Sequence, residues 1–106
     1  MSSAILYTVR CSFSADKSVA DKWVAWLRDE HLQDVLNAGA MGAELVRMDG
    51  DEVAYEVRYR FPSREAFQTY ERDHAPQLRA EGLSRFPLDL GLTYSRSVGE
   101  FVCAVP

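Results

Sequence analysis

Along Ala4 to Phe13, apolar and polar residues alternate. Ile5, Tyr7, Val9, Cys11 and Phe13 fall on one side, and Leu6, Thr8, Arg10 and Ser12 on the other, which is the period of a half-buried strand. Ser14 to Ser18 offers helix-start residues, with Ser14 or Asp16 as the N-cap, because their side-chain oxygens accept from the free N–H groups of a first turn. The spacing then predicts a helix to about Asn37, stopped at Gly39 by a left-handed residue. Gly42 to Asp49 reads as a second strand, and Asp49-Gly50 marks a turn needing positive φ. In Val53 to Phe61 the alternation is clearest: Val53, Tyr55, Val57, Tyr59 and Phe61 oppose Glu56, Arg58 and Arg60. Ser63 caps a second helix carrying Phe67, Tyr70, His74 and Leu78, which Gly82 is expected to end. A final strand lies within Leu90 to Val102, where Leu92, Tyr94 and Val98 share one parity.

The order β-α-β-β-α-β is that of the ferredoxin-like split βαβ fold, an α+β arrangement in which two helices cover one face of a four-stranded antiparallel sheet. With 106 residues, the chain has the length of one domain, 1–106.

Neither helix projects as a single cylinder. At about 100° per residue from Val19, the residues Val19, Ala20, Trp23, Val24, Trp26 and Leu27 centre near 60°, while Leu32, Val35 and Leu36 centre well over 100° away. A bend or restart near Asp29-Glu30-His31 is therefore predicted. In the second helix Pro76 forces the break, since it lacks an amide hydrogen and disfavours helical geometry at Ala75. Each joint lies beside a histidine, His31 or His74.

These joints carry a resemblance. Trp23-x-x-Trp26, Glu30-His31 and Val35-Leu36-x-x-Gly39, followed by His74-Ala75-Pro76-x-Leu78-Arg79-x-Glu81 and Arg85-Phe86, resemble the bacterial family catalogued as domain of unknown function 4286. That family is similar to the dimeric α+β barrel superfamily, and the resemblance implies a homodimer whose two sheets pack face to face. Relatives in the superfamily include cofactor-free antibiotic-biosynthesis-type monooxygenases, muconolactone-isomerase-like enzymes, haem-degrading and haem-binding proteins, and proteins with no known activity. It carries over no catalytic residue.

Composition removes several alternatives. A formal charge of −4 gives no overall positive field for nucleic acid or anionic lipid, and VAYEVRYRF lacks the glycine-aromatic pattern of RNA-binding modules. Arg10 cuts the first apolar run at strand length, so neither a signal peptide nor a membrane span is read there, and a cytoplasmic location is expected. Cys11 and Cys103 form no metal-type pair and fall at opposite ends of the pairing between first and last strands, so no disulfide between them is expected. No glycine-rich phosphate loop or GxSxG motif occurs, and no metal or cofactor is expected.

The candidate chemistry is centred on His31, at about 120° on the edge of the apolar sector and next to Glu30. An imidazole tuned by that carboxylate suits a general acid or base. The competing reading is a capping histidine that bonds a carbonyl freed at the bend. His74, after Asp73 and before Pro76, is either a ligand-binding residue or a structural one. Trp26 lies nearest the sector edge, where it could wall a pocket with its indole N–H needing a partner; Trp23 reads as core. On the opposite sheet face Arg10, Glu56 and Arg58, with Glu44 or Arg96, recur among Leu6, Thr8 and Tyr94. In a dimer these charges would have to pair across an interface; alternatively, Arg10 and Arg58 would hold an anion. The leading expectation is a homodimer joined through that sheet face, binding a small aromatic or amphipathic molecule between helices and sheet, with His31 near the cleft. The alternatives are a cofactor-free monooxygenase- or isomerase-type enzyme using His31, and a non-catalytic structural or protein-interaction module.

Overall fold

The computed structural model describes residues 3–14 and 17–106. Its elements are β1 (Ile5–Phe13), α1 (Lys17–Trp26), a π-helical turn (Leu27–His31), α2 (Leu32–Asn37), β2 (Gly42–Arg47), β3 (Val53–Phe61), α3 (Arg64–Asp73), α4 (Ala75–Arg85), a 3-10 turn (Leu88–Leu90) and β4 (Leu92–Glu100). The strands form one antiparallel sheet in the order β2-β3-β1-β4, with the helices on one face: the ferredoxin-like architecture expected from the element order.

The alternation in the strands sorts the two faces as predicted for β1 and β3. Ile5, Tyr7, Cys11 and Phe13 are buried against the helices together with Val57, Tyr59 and Phe61. From above, Trp23, Trp26, Leu27, Val35, Phe67 and Tyr70 close this core. Rings meet edge to face where Phe13 packs on Trp23 at 5.4 Å and Phe61 on Phe67 at 5.3 Å, the arrangement that ring quadrupoles favour.

The break predicted in the first helical stretch takes a definite form. Leu32 N–H bonds Leu27 O, five residues back, so one wider turn is inserted between α1 and α2. Such a turn adds one residue and rephases the helix by about 100°, most of the offset between the two apolar sets. Trp23, Trp26 and Leu27 before it, and Val35 after it, are thereby all buried. The stretch ends at Gly39, whose φ of +122° is a conformation that other residues rarely adopt.

The second stretch breaks at His74, where φ −125° leaves the helical region, and Pro76 then sits in the first turn of α4, where its missing donor costs nothing. Ser63 caps α3 by accepting from Ala66 N–H at 3.1 Å.

Three expectations are corrected. Ser14 does not cap α1: its hydroxyl donates to Gly91 O at 3.3 Å, and its N–H bonds the same carbonyl, tying the end of β1 to the start of β4. Asp16, the other candidate cap, lies outside the described residues. Gly82 does not end the second helix, which runs on to Arg85. A Cβ at Gly82 would stand 3.3 Å from Cη2 of Trp26, so the glycine lets the helix backbone approach the indole. Finally, Tyr94 and Arg96 lie on the helix side of the sheet, because the register sets them opposite Cys11 and Val9.

Candidate functional site

Between helices and sheet lies a cavity of about 570 Å³. Tyr7, Val57 and Tyr59 form its floor, Trp23, Trp26, Leu27 and His31 one wall, and Tyr70, Leu78, Arg79 and Gly82 the other; Leu92, Tyr94 and Arg96 line it from β4. A volume of this size suits a small aromatic ligand.

The π-helical turn places His31. Its ring stacks on Trp26 with centroids 4.5 Å apart and planes 26° from parallel, and Phe86 meets the same indole at 5.7 Å. Burial holds the His31 pKa down to about 4, opposed by the negative charge of Asp34, so the imidazole is neutral at pH 7. His31 Nδ1 and Trp26 Nε1 are both buried with no hydrogen-bond partner among the described residues. His31 Nδ1 therefore bonds no freed carbonyl. The carboxylate expected to tune it, Glu30, is exposed and turns instead to Arg85 at 3.3 Å.

Across the cavity, phenols dominate. Arg79 donates to Tyr7 Oη at 3.1 Å and to Glu71 at 2.7 Å. Burial pulls the Arg79 pKa down, but those two partners more than reverse it and hold the guanidinium charged. Trp23 Nε1 donates to Tyr94 Oη at 3.1 Å, which gives that buried indole its partner. Burial raises Tyr59 and Tyr70 well above the ordinary phenol range, and pushes Tyr94 and Cys11 up to about 12, so all four stay protonated at neutral pH. Among the described residues no aspartate or glutamate lines the cavity. The site offers flat ring surface, hydroxyl and guanidinium donors, and one neutral imidazole.

Of the residues singled out from the sequence, Trp26 and His31 meet at this cavity. His74 does not line it; its side chain is exposed while its backbone joins α3 to α4 through bonds to Tyr70 O and from Leu78 N. Arg10 and Arg58 are on the opposite sheet face. There they share Glu56, with Arg10 at 3.8 Å and Arg58 at 2.9 Å, so both guanidinia already face a carboxylate. Sequence reasoning missed Tyr7, Tyr59, Tyr70, Tyr94, Arg79 and Arg96. A signal for the tyrosines existed: a phenol on a buried parity must find a partner or face a cavity.

A model of the family described as domain of unknown function DUF4286 matches residues 4–93. No curated protein matches the sequence. Among solved structures, a dimeric ferredoxin-like protein from an uncultured marine organism has a TM-score of 0.73 at 10% identity, over 97% of this chain and 98% of that one. A monooxygenase from the gene ActVA-Orf6 of Streptomyces coelicolor, in complex with the ligand nanaomycin D, has a TM-score of 0.72 at 16% identity, over 98% and 92%. SnoaB, a cofactor-independent oxygenase from Streptomyces nogalater, has a TM-score of 0.69 at 11% identity, over 98% of each chain. At such identities the likeness is one of fold.

Proposed function

The chain belongs to the family of domain of unknown function 4286, and from its ring-lined cavity we propose that it binds a small planar aromatic or amphipathic molecule between helices and sheet, as a homodimer packed through the open sheet face. The observation that carries this reading is the cavity of about 570 Å³ walled by Trp23, Trp26, Tyr7, Tyr59, Tyr70 and Tyr94. Flat rings gain dispersion and quadrupole contacts with such walls at little cost in ligand entropy. The dimer is supported by the marine relative, which is itself dimeric, and by a sheet face that the helices leave uncovered.

Native mass spectrometry at micromolar protein, joined to quenching of the two tryptophans by 2-naphthol, tests the reading. A dimer and saturable quenching are expected, with quenching lost in Gly82→Leu, whose side chain would enter the cavity at Trp26. A monomer overturns the dimer, and absence of quenching by naphthalene-sized ligands overturns the binding.

A second reading, cofactor-free oxygenase or isomerase chemistry, is supported by the fold shared with SnoaB, a cofactor-independent oxygenase, and by His31, which is neutral and stacked at the cavity wall. An imidazole of such low basicity suits hydrogen bonding and orientation of a reacting group better than proton abstraction. Oxygen uptake with a quinol panel, for wild type and His31→Gln, decides it: a rate at least tenfold lower in the variant is expected, and equal rates or no turnover remove it.

A further inference from the structure

The charges and donors around the cavity do not balance. Among the described residues its lining carries two guanidinia and no carboxylate, in a chain whose formal charge is −4. One of the two is satisfied, because Arg79 is held by Glu71 at 2.7 Å. The other, Arg96, makes no ion pair among the described residues and lies over the Tyr94 ring at 5.3 Å. It stands on the helix side of β4, opposite Val9. Arg96 is exposed and also lines the cavity, so an unpaired positive charge stands at its mouth.

The phenols show the same excess of donors. Tyr7 Oη already accepts from Arg79, so its own proton is directed to some other acceptor. The hydroxyls of Tyr59 and Tyr70, both residues almost fully buried, take part in no side-chain hydrogen bond among the described residues. Three hydroxyl protons and one guanidinium thus converge on a space whose walls supply few acceptors. What complements such a set is a group with acceptors only: an ionised oxygen acid.

Building on the reading that the cavity takes a flat aromatic molecule, we propose that the ligand is an aromatic carboxylate. Its rings lie against Trp26 and Leu27, and its anionic oxygens are taken by Arg96 and the hydroxyls of Tyr7, Tyr59 and Tyr70. A charge-assisted hydrogen bond in a partly buried site is worth about ten- to a hundredfold in affinity over its neutral counterpart. The acidic remainder of the chain repels anions elsewhere and so confines them to this cavity.

Tryptophan quenching by 2-naphthoate and by 2-naphthamide, alike in shape and different in charge, tests this at pH 7 and low salt. Wild type is expected to bind the naphthoate about ten- to a hundredfold tighter. In Arg96→Gln, whose fold is checked by circular dichroism, the ratio is expected to fall to within about threefold of one while naphthamide affinity is kept; Tyr70→Phe is expected to reduce the ratio in part. Equal affinities in wild type, or a preference unchanged in Arg96→Gln, overturn the anionic ligand and leave the aromatic cavity standing. Binding of neither compound overturns both.

Discussion

Two rings, those of Trp26 and His31, lie 4.5 Å apart, and each carries a buried nitrogen without a partner among the described residues. Such a contact leaves no room to solvate an imidazolium, which is why the His31 pKa falls from 6.5 to about 4. The linkage has a definite sign. Above pH 6.5 the ring is neutral whether the chain is folded or not, and His31 imposes no penalty. Between pH 6.5 and about 4 the unfolded chain binds a proton that the folded one refuses, so stability declines as the pH falls, by at most about 3 kcal/mol. Urea unfolding of wild type and His31→Gln across that window is expected to converge as pH is lowered, with the variant flatter; parallel curves would refute the buried neutral ring. The position of His31 was legible in the sequence from its place on the edge of the apolar sector. Its electrostatic neighbour was not. Glu30, adjacent in sequence, projects about 100° around the helix and reaches Arg85, whereas Asp34, three residues on, returns to the same side.

At the scale of elements, the phase count along Val19 to Leu36 required an interruption, and the interruption is there. Its kind could not be read, because a kink, a restart and a wide turn all rephase a helix, and only the bond from Leu32 N–H to Leu27 O distinguishes them. Deletion of the exposed Asp29 takes out the added residue, so it is expected to restore a plain α-helix with Leu32, Val35 and Leu36 still turned to the core, whereas insertion of one alanine after Leu32 is expected to rotate Val35 and Leu36 by about 100° off it, at a cost of several kcal/mol. Asp29→Ala, which removes only a surface pair with Arg28, is expected to change stability by less than about 0.5 kcal/mol. Denaturant midpoints for the three variants check this, and a deletion variant destabilised as far as the insertion variant would show that the wide turn does not set the phase. Pro76 announced the second joint plainly. Gly82 misled, because a glycine within a helix looks like a stop unless a bulky partner such as Trp26 is known to lie against it.

For the whole molecule, element order was enough to give the sheet topology, since few arrangements accommodate β-α-β-β-α-β. The parity of β4 was harder: its residues alternate weakly, and only pairing with β1 assigns Arg96 to the cavity. The open face carries Arg10 and Arg58 on either side of Glu56. Still partly open to solvent in one copy, these pairs contribute modestly; covered by a second sheet, loss of the shared carboxylate would leave two cations unmatched. Glu56→Gln is therefore expected to raise the dimer dissociation constant at least tenfold in sedimentation equilibrium while the secondary structure stays intact. An unchanged constant would place the interface elsewhere.

The central position of β1 has a consequence in time as well as in space. Ile5 pairs with Glu100 and Phe13 with Leu92, so one edge of β1, an internal strand made first, is closed only by the last strand of the sheet to be made. Pairings between such distant parts of a chain form slowly, on the order of milliseconds to seconds. Throughout that interval the alternating row from Ile5 to Phe13 is an open template for other strands, and the nascent chain is exposed to aggregation there until β4 has docked.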